Sequence, residues 1–179
     1  MSGALSPTAE AKILKEEQIR VLRAIKEATK SMDMKTFAQN VSLTPEEAVE
    51  QIQELAKNAF LRKIGKGYAI SEKGKAAIKA FNRVPDDRRF LFYVGIGQPT
   101  GFNAKTVEEF YRLTKQVCVE SIEFHLFRGD FERWINDVLE ENEFAVEVGN
   151  LKNSQLKGET LRTALLNLFE TKYGFEELT

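Results

Sequence analysis

The chain has 179 residues, 42% apolar and 30% charged, enough for one generous domain or two small ones that close a core without metals or disulfides. No run of about 18 apolar residues occurs and no apolar stretch opens the chain, so a cytoplasmic protein is expected, with no membrane span, signal peptide or membrane partner. Net charge is −1, but residues 1–84 hold fifteen Lys and Arg against ten Asp and Glu, and residues 85–179 hold eleven against seventeen, which implies two functional surfaces or two mutually attracting domains.

After a small, polar opening segment, Ala9 to Thr29 contains no Gly or Pro and places Leu14, Val21, Leu22, Ile25 and Ala28 at helical spacings. The spacing predicts one long amphipathic helix. Ile13 and Ile19 widen its apolar set, either to pack on the rest of the chain or to form the seam of a homodimer. A short helix follows, with Ser31 or Asp33 as cap and Phe37, Ala38 and Val41 inward. In SLTPEE, Thr44 can cap, Pro45 suits the first helical position, and Glu47 completes a capping box. Ala48, Ile52, Leu55 and Ala56 then face inward up to Asn58, leaving Glu46, Glu47, Glu50, Gln51, Gln53, Glu54 and Lys57 outward. Apolar residues alternate through Phe60, Leu61, Ile64, Tyr68 and Ile70, with Gly65 and Gly67 at the tip of a two-stranded ribbon. Ser71 opens a last helix through Phe81, and NRVPDD reads as a linker.

Helix, short helix, turn, helix, hairpin, helix is the order of a winged-helix domain. The line GYAISEKGKAAI resembles the second wing strand and closing helix of archaeal winged-helix proteins, and the resemblance covers roughly residues 12–82. It implies a fold rather than a function, because winged helices bind DNA, RNA and proteins alike.

Beyond Asp87 the texture changes. RFLFYVGIG is apolar at nearly every position from Phe90 to Ile96, as in a short buried strand, and the glycine loop GIGQPTG leads toward a helix from about Ala104 to Val119. That helix directs Val107, Phe110, Tyr111, Leu113 and Val117 inward. SIEFHLF fits a strand or a helix equally. Asp130 then caps a helix with Phe131, Trp134, Ile135, Val138 and Leu139 inward. EFAVEVGNL supplies a short helix, and GETLRTALLNLFETKYG a long one carrying Leu161, Leu165, Leu168 and Phe169, stopped at Gly174. The segments FYVGIGQPTG, SIEFHLFRGDFERWINDVL and LKGETLR together resemble an uncharacterised archaeal domain, over most of residues 90–170, to which no biochemical activity attaches. The expected fold is therefore α+β and mostly helical: a winged-helix domain over residues 1–84, then an acidic, predominantly helical domain over residues 85–179 with one or two short strands.

Catalytic signals are thin. GIGQPTG misses the dinucleotide fingerprint by one residue, and Gly101 is followed by Phe102 and Asn103 rather than by the Lys and Ser/Thr of a triphosphate loop. A tight turn explains it, with an anion site as the lesser alternative. His125 is the only histidine and stands between Phe124 and Leu126, which points to a structural imidazole bonded to a backbone carbonyl or to Asp130. Cys118 stands alone and reads as a buried structural thiol. The RGD at 128–130 is a turn followed by a helix cap, and the adjacent carboxylates Asp86/Asp87, Glu140/Glu141 and Glu176/Glu177 share no helix face. No enzyme activity, cofactor or metal is expected.

The basic residues say more. Arg62, Lys63 and Lys66 gather on the predicted ribbon beside Tyr68, and Lys73, Lys75 and Lys79 follow on the next helix. Such a wing neutralises phosphates along a nucleic-acid backbone. The third helix argues differently. Gln51, Gln53 and Lys57 are its only side chains suited to base edges, and four glutamates share the segment. Glu46 and Glu47 suit the helix dipole, but Glu50 and Glu54 lie beyond its reach. Two functions are expected in consequence: a binding or regulatory factor whose basic wing contacts DNA, RNA or a ribonucleoprotein, or an adaptor whose Glu46, Glu50 and Glu54 dock on a basic protein surface, such as a ribosomal or transcription-machinery component.

Overall fold

A computed structural model describes residues 14–28 and 30–175, which form two compact units, the first reaching Lys79 and the second running from Ala80 to Phe175. The architecture is α+β and mostly helical, and each unit carries one two-stranded antiparallel sheet.

The first unit runs α1 (Glu16–Glu27), α2 (Met34–Asn40), α3 (Pro45–Lys57), β1 (Leu61–Ile64), β2 (Gly67–Ile70) and α4 (Glu72–Ala80). Of the long helix expected from Ala9, residues 9–13 and Thr29 lie outside the described residues. Leu14, Val21 and Leu22 are buried, as is Ile19, whereas Ile25 is half-buried and Ala28 exposed. Asp33, not Ser31, caps α2: its carboxylate accepts from Thr36 N at 2.9 Å and Thr36 Oγ1 at 2.8 Å, and these donors hold the Asp33 carboxyl below its ordinary range. The capping box of α3 closes as expected. Glu47 N donates to Thr44 Oγ1 at 3.2 Å, and Thr44 N donates to Glu47 Oε2 at 2.9 Å.

The exit of α3 determines where the ribbon starts. Ala59 N donates to Ala56 O and Phe60 N donates back to Leu55 O at 2.9 Å, the paired bonds of a Schellman motif, with buried Phe60 against buried Leu55. The left-handed position, normally a glycine's, is filled by Ala59 at φ 65°. β1 and β2 pair in the register Leu61↔Ile70, Arg62↔Ala69, Lys63↔Tyr68 and Ile64↔Gly67, around the two-residue turn Gly65–Lys66, where Gly65 takes φ 56°. The alternation expected to bury the ribbon's apolar residues holds only at its base: Leu61 is buried, but Ile64 is 52% and Tyr68 37% exposed. Toward its turn the ribbon is only partly covered by the described residues.

Ser71 stitches the ribbon to α4. Its N–H donates to Phe60 O, its hydroxyl donates to Ala59 O at 2.6 Å, and the same oxygen accepts from Gly74 N at 3.0 Å. α4 thereby approaches Phe60 so closely that a Cβ on Gly74 would stand 2.3 Å from Phe60 O and 2.7 Å from Ile70 Cγ1.

In the second unit a 3-10 turn (Asp86–Arg88) precedes β3 (Phe90–Gly95), β4 (Gln98–Ala104), α5 (Val107–Gln116), α6 (Val119–Arg128), α7 (Asp130–Asp137) and α8 (Asn142–Gly149). A second 3-10 turn (Asn150–Asn153) and α9 (Gly158–Tyr173) complete it. The expected linker is part of this unit at Val84, which is buried and donates its N–H to Lys105 O at 2.8 Å. β3 is half-buried rather than fully buried: Phe90 and Phe92 turn inward, Leu91 and Val94 outward. The glycine loop does not lead to a helix. It is the turn of a hairpin whose second strand, β4, was disguised by Pro99 and Gly101. Proline is tolerated because Pro99 faces Tyr93 as a non-hydrogen-bonded pair, so the ladder never asks for its missing N–H.

SIEFHLF resolves as helix α6, stopped by Gly129 at φ 76°. Cys118 precedes α6 and is exposed, contrary to the buried thiol expected. Asp130 does not cap α7; Gly129 occupies that position, and the Asp130 carboxylate turns to His125, Arg128 and Arg133. The core is aromatic. Phe110 stacks on Trp134 and packs on Phe169 at centroid distances of 5.2 and 5.0 Å, while Phe90 meets Phe92, Phe110 and Phe131. Each such pair contributes about 0.5–1.5 kcal/mol beyond its area burial. Around this core Trp134 Nε1 donates to Arg88 O, and Arg162 Nη1 donates to Thr114 O and Val117 O, satisfying the carbonyls at the end of α5. α9 buries Leu161, Leu165 and Phe169, half-buries Leu168 and ends at Gly174.

Two substitutions at the ribbon's base should shift stability in opposite directions. Gly74→Ala would gain about 0.5–1 kcal/mol of helix propensity in an open helix, but here the clash with a backbone carbonyl wins, and a net loss of about 1–3 kcal/mol is expected. Ala59→Gly relieves a left-handed alanine and should gain about 1 kcal/mol. Thermal unfolding of the two variants checks both signs.

Candidate functional site

The ribbon carries the features expected of a polyanion-binding surface. Arg62, Lys63 and Lys66 are exposed, and among the described residues none of the three side chains makes a hydrogen bond or an ion pair. The nearest acidic influence is Glu72, whose carboxyl is held below its ordinary value chiefly by Lys75 and only secondarily by Arg62. Cross-strand pairing sorts the cluster by face. Lys63 lies opposite Tyr68 on the face that includes Leu61 and Ile70, Arg62 lies with Ala69 on the other face, and Lys66 occupies the turn. Positive charge thus surrounds the tip instead of forming a single row.

The lysines of α4 do not extend this surface. Lys73 Nζ donates to Asn58 O at 3.0 Å and sits 4.6 Å over the Phe60 ring, Lys75 pairs with Glu72 at 2.8 Å, and Lys79 is engaged within the chain. Lys73 is a structural brace for the α3–β1 corner.

α3 departs from expectation at one residue. Gln51, assigned to the outward face, is 7% exposed, and its Oε1 accepts no hydrogen bond from the described residues. The reason is geometric: position 51 is three residues after Ala48 and four before Leu55, so it shares their stripe, and residue type hid what the spacing specifies. Gln51 therefore cannot read a base edge. Glu46, Glu50, Gln53, Glu54 and Lys57 remain exposed, with Val49, 38% exposed, among the glutamates.

In the second unit a cleft of about 320 Å³ lies between β3 and α6, lined by Leu91, Tyr93, Ile96, Phe124, His125 and Arg128 among others. His125 is 3% exposed with both ring nitrogens occupied. Tyr93 N–H can only donate, so Nε2 accepts from it at 2.7 Å, which places the proton on Nδ1, donating to Asp130 Oδ2 at 2.8 Å. Of the two partners expected for His125, a backbone carbonyl or Asp130, the structure shows Asp130, and it adds the Tyr93 N–H on the other nitrogen. Sequence alone could not place Tyr93 here, because the partners are 32 residues apart. An imidazole so bonded has no lone pair or proton to offer a substrate. The Gly95–Gly101 segment is the turn and opening of the second strand of a hairpin, so β4 separates it from α5 and it does not form a strand-to-helix phosphate loop. Among the described residues no group of three His, Cys, Asp or Glu side chains could hold a metal, and no helix is long and apolar enough to cross a membrane.

Burial is the larger influence on His125 and holds it below its ordinary value of 6.5; the bond and charge of Asp130 oppose that shift, and the charge of Arg128 adds to it. The unfolded chain takes up a proton near that ordinary value while the folded chain resists, so this contribution is complete above it and is lost as the pH falls. The denaturant midpoint should therefore drop between about pH 7.5 and about pH 5.5, where most carboxylates are still ionised, and the drop should shrink in His125→Gln. An unchanged pH profile in the variant would mean that other groups carry it.

Comparison of the chain with protein-family models, with curated proteins and with solved structures found no match.

Proposed function

We propose that the first unit is a winged helix, and that the chain is a non-catalytic, cytoplasmic binding or regulatory factor which contacts nucleic acid, as DNA, RNA or a ribonucleoprotein, chiefly through its ribbon. The observation that carries this reading is the set of three exposed cations on β1 and its turn, unpaired among the described residues, on a ribbon whose base is locked into the core. Where such a cluster meets phosphates it releases their counterions, which supplies sequence-independent affinity. α3 stays out of the groove in this arrangement. Each of Glu50 and Glu54 would meet a phosphate about 6 Å away at a cost of roughly 0.7 kcal/mol even at the dielectric of water, and Gln51 is buried. Gln53 and Lys57 are the side chains left to touch a base. A non-catalytic role is supported by the one histidine being consumed by structure.

Replacing Arg62, Lys63 and Lys66 together with alanine should weaken binding to any nucleic acid and lower the slope of log affinity against log salt by about two to three. Electrophoretic mobility or anisotropy titrations across a salt series measure both, and an unaltered slope would refute the reading.

A second reading is favoured by one observation: Val49 is exposed between Glu46 and Glu50, giving the acidic face of α3 an apolar centre suited to a basic protein partner such as a ribosomal or transcription-machinery component. Under that adaptor reading, the double charge reversal Glu50→Lys, Glu54→Lys abolishes the complex in co-precipitation while the alanine variant of the ribbon retains it.

A further inference from the structure

We infer that the ribbon binds nucleic acid through unpaired bases, as a single strand rather than a continuous duplex, with Tyr68 as the stacking platform and Lys63 and Lys66 on the adjoining phosphates. The inference rests on the nucleic-acid reading above and narrows it to a class of ligand. Its starting point is the face shared by Lys63 and Tyr68. In a two-residue hairpin the pair next to the turn, Ile64↔Gly67, is the hydrogen-bonded one, so Lys63 and Tyr68 form a non-hydrogen-bonded pair with Cα atoms about 4.5 Å apart, the closest cross-strand approach a ribbon offers. A cation and an aromatic ring are therefore held side by side near the turn of the ribbon.

The ring itself is open. Tyr68 is 37% exposed, and among the described residues it has no hydrogen bond, no ring contact and no cation over its face. The other tyrosines in reach of comparison are used: Tyr111 donates its hydroxyl to Glu170 and packs on Phe175, and Tyr173 is buried against Phe144. As a cross-strand partner alone Tyr68 is worth about 0.2–1 kcal/mol to the ribbon, whereas one stacked base is worth about 1–3 kcal/mol. On the opposite face Ile64, 52% exposed, presents an aliphatic surface next to Lys66. A duplex offers a wing sugars and phosphates, against which an open ring and an isoleucine gain little. A strand with splayed bases offers each of them an apolar face within reach of a phosphate. Nor can α3 add to a duplex contact made by the ribbon, since Glu50 and Glu54 would repel the phosphates and Gln51 is buried.

The test uses the full chain with fluorescently labelled oligouridylate, oligothymidylate and a duplex of equal length, titrated by anisotropy at several salt concentrations. At least one of the two strands should bind about tenfold more tightly than the duplex, and Tyr68→Ala should lose about tenfold on that strand with its salt slope unchanged, because stacking and not charge has been removed. Tyr68→Phe, which keeps the ring and leaves the ribbon's packing intact, should bind as the wild type does. Preference for the ribose or the deoxyribose strand identifies which of the two is the ligand, and either result supports the inference. Duplex binding equal to or tighter than strand binding overturns it while leaving the nucleic-acid reading in place, as does a Tyr68→Ala variant that binds the strands normally. Failure of all three probes to bind overturns the reading itself.

Discussion

The arrangement of the first unit depends on one corner of backbone, where α3 ends, β1 begins and α4 closes over both. Leu55 O, Ala59 O and Phe60 O are each claimed by a donor from the next element, and Gly74 lets α4 approach Phe60 within a distance that no side chain would permit. A two-stranded ribbon of four-residue strands is marginal on its own. Held at the base by Ser71, Lys73 and buried Phe60, it can carry an exposed, charged tip that contributes little to its stability.

The second unit resolves a comparable problem with a side chain. Tyr93 faces a proline, and its own N–H points away from the hairpin toward α6. His125 accepts that bond and passes the polarisation on to Asp130, so a histidine does the work of a strand neighbour inside an aromatic core. The same two bonds that tie the imidazole to β3 and Asp130 occupy both of its nitrogens. The acidic residues follow this pattern in part: Glu108, 2% exposed, is held by the forked Arg112, and Glu123 accepts from Gly158 N.

Charge is therefore used in two ways. Where cations meet carboxylates or carbonyls, as at Lys73, Lys75 and Arg162, they set the geometry of corners and helix ends. On the ribbon Arg62, Lys63 and Lys66 stay in solvent among the described residues, while α3 alongside presents glutamates. Under the proposed function this separation of charge would steer a polyanion toward the tip and away from the helix.

Local chemistry was legible in the residues themselves. Thr44, Pro45 and Glu47 specify the start of α3 because a capping box is built from neighbours in sequence, and Asp33, Gly65, Gly129 and Gly174 mark ends and turns for the same reason. The gathering of Arg62, Lys63 and Lys66 on one hairpin followed from a two-residue turn that fixes register without help from the rest of the chain. What the residues did not reveal depends on groups far apart in sequence. β4 looked like a loop because only its pairing with β3 makes Pro99 and Gly101 acceptable in a strand. Cys118 looked buried because its type favours the interior, yet it is exposed between buried Val117 and Ser121. Gln51 is the instructive exception, since its spacing placed it inward while its polarity argued for solvent, and spacing prevailed. Sequence determines which hydrogen bonds short segments make with themselves; tertiary packing decides which faces are covered, and hence which cations and rings remain open to a partner, because burial is a property of surfaces brought together from distant parts of the chain.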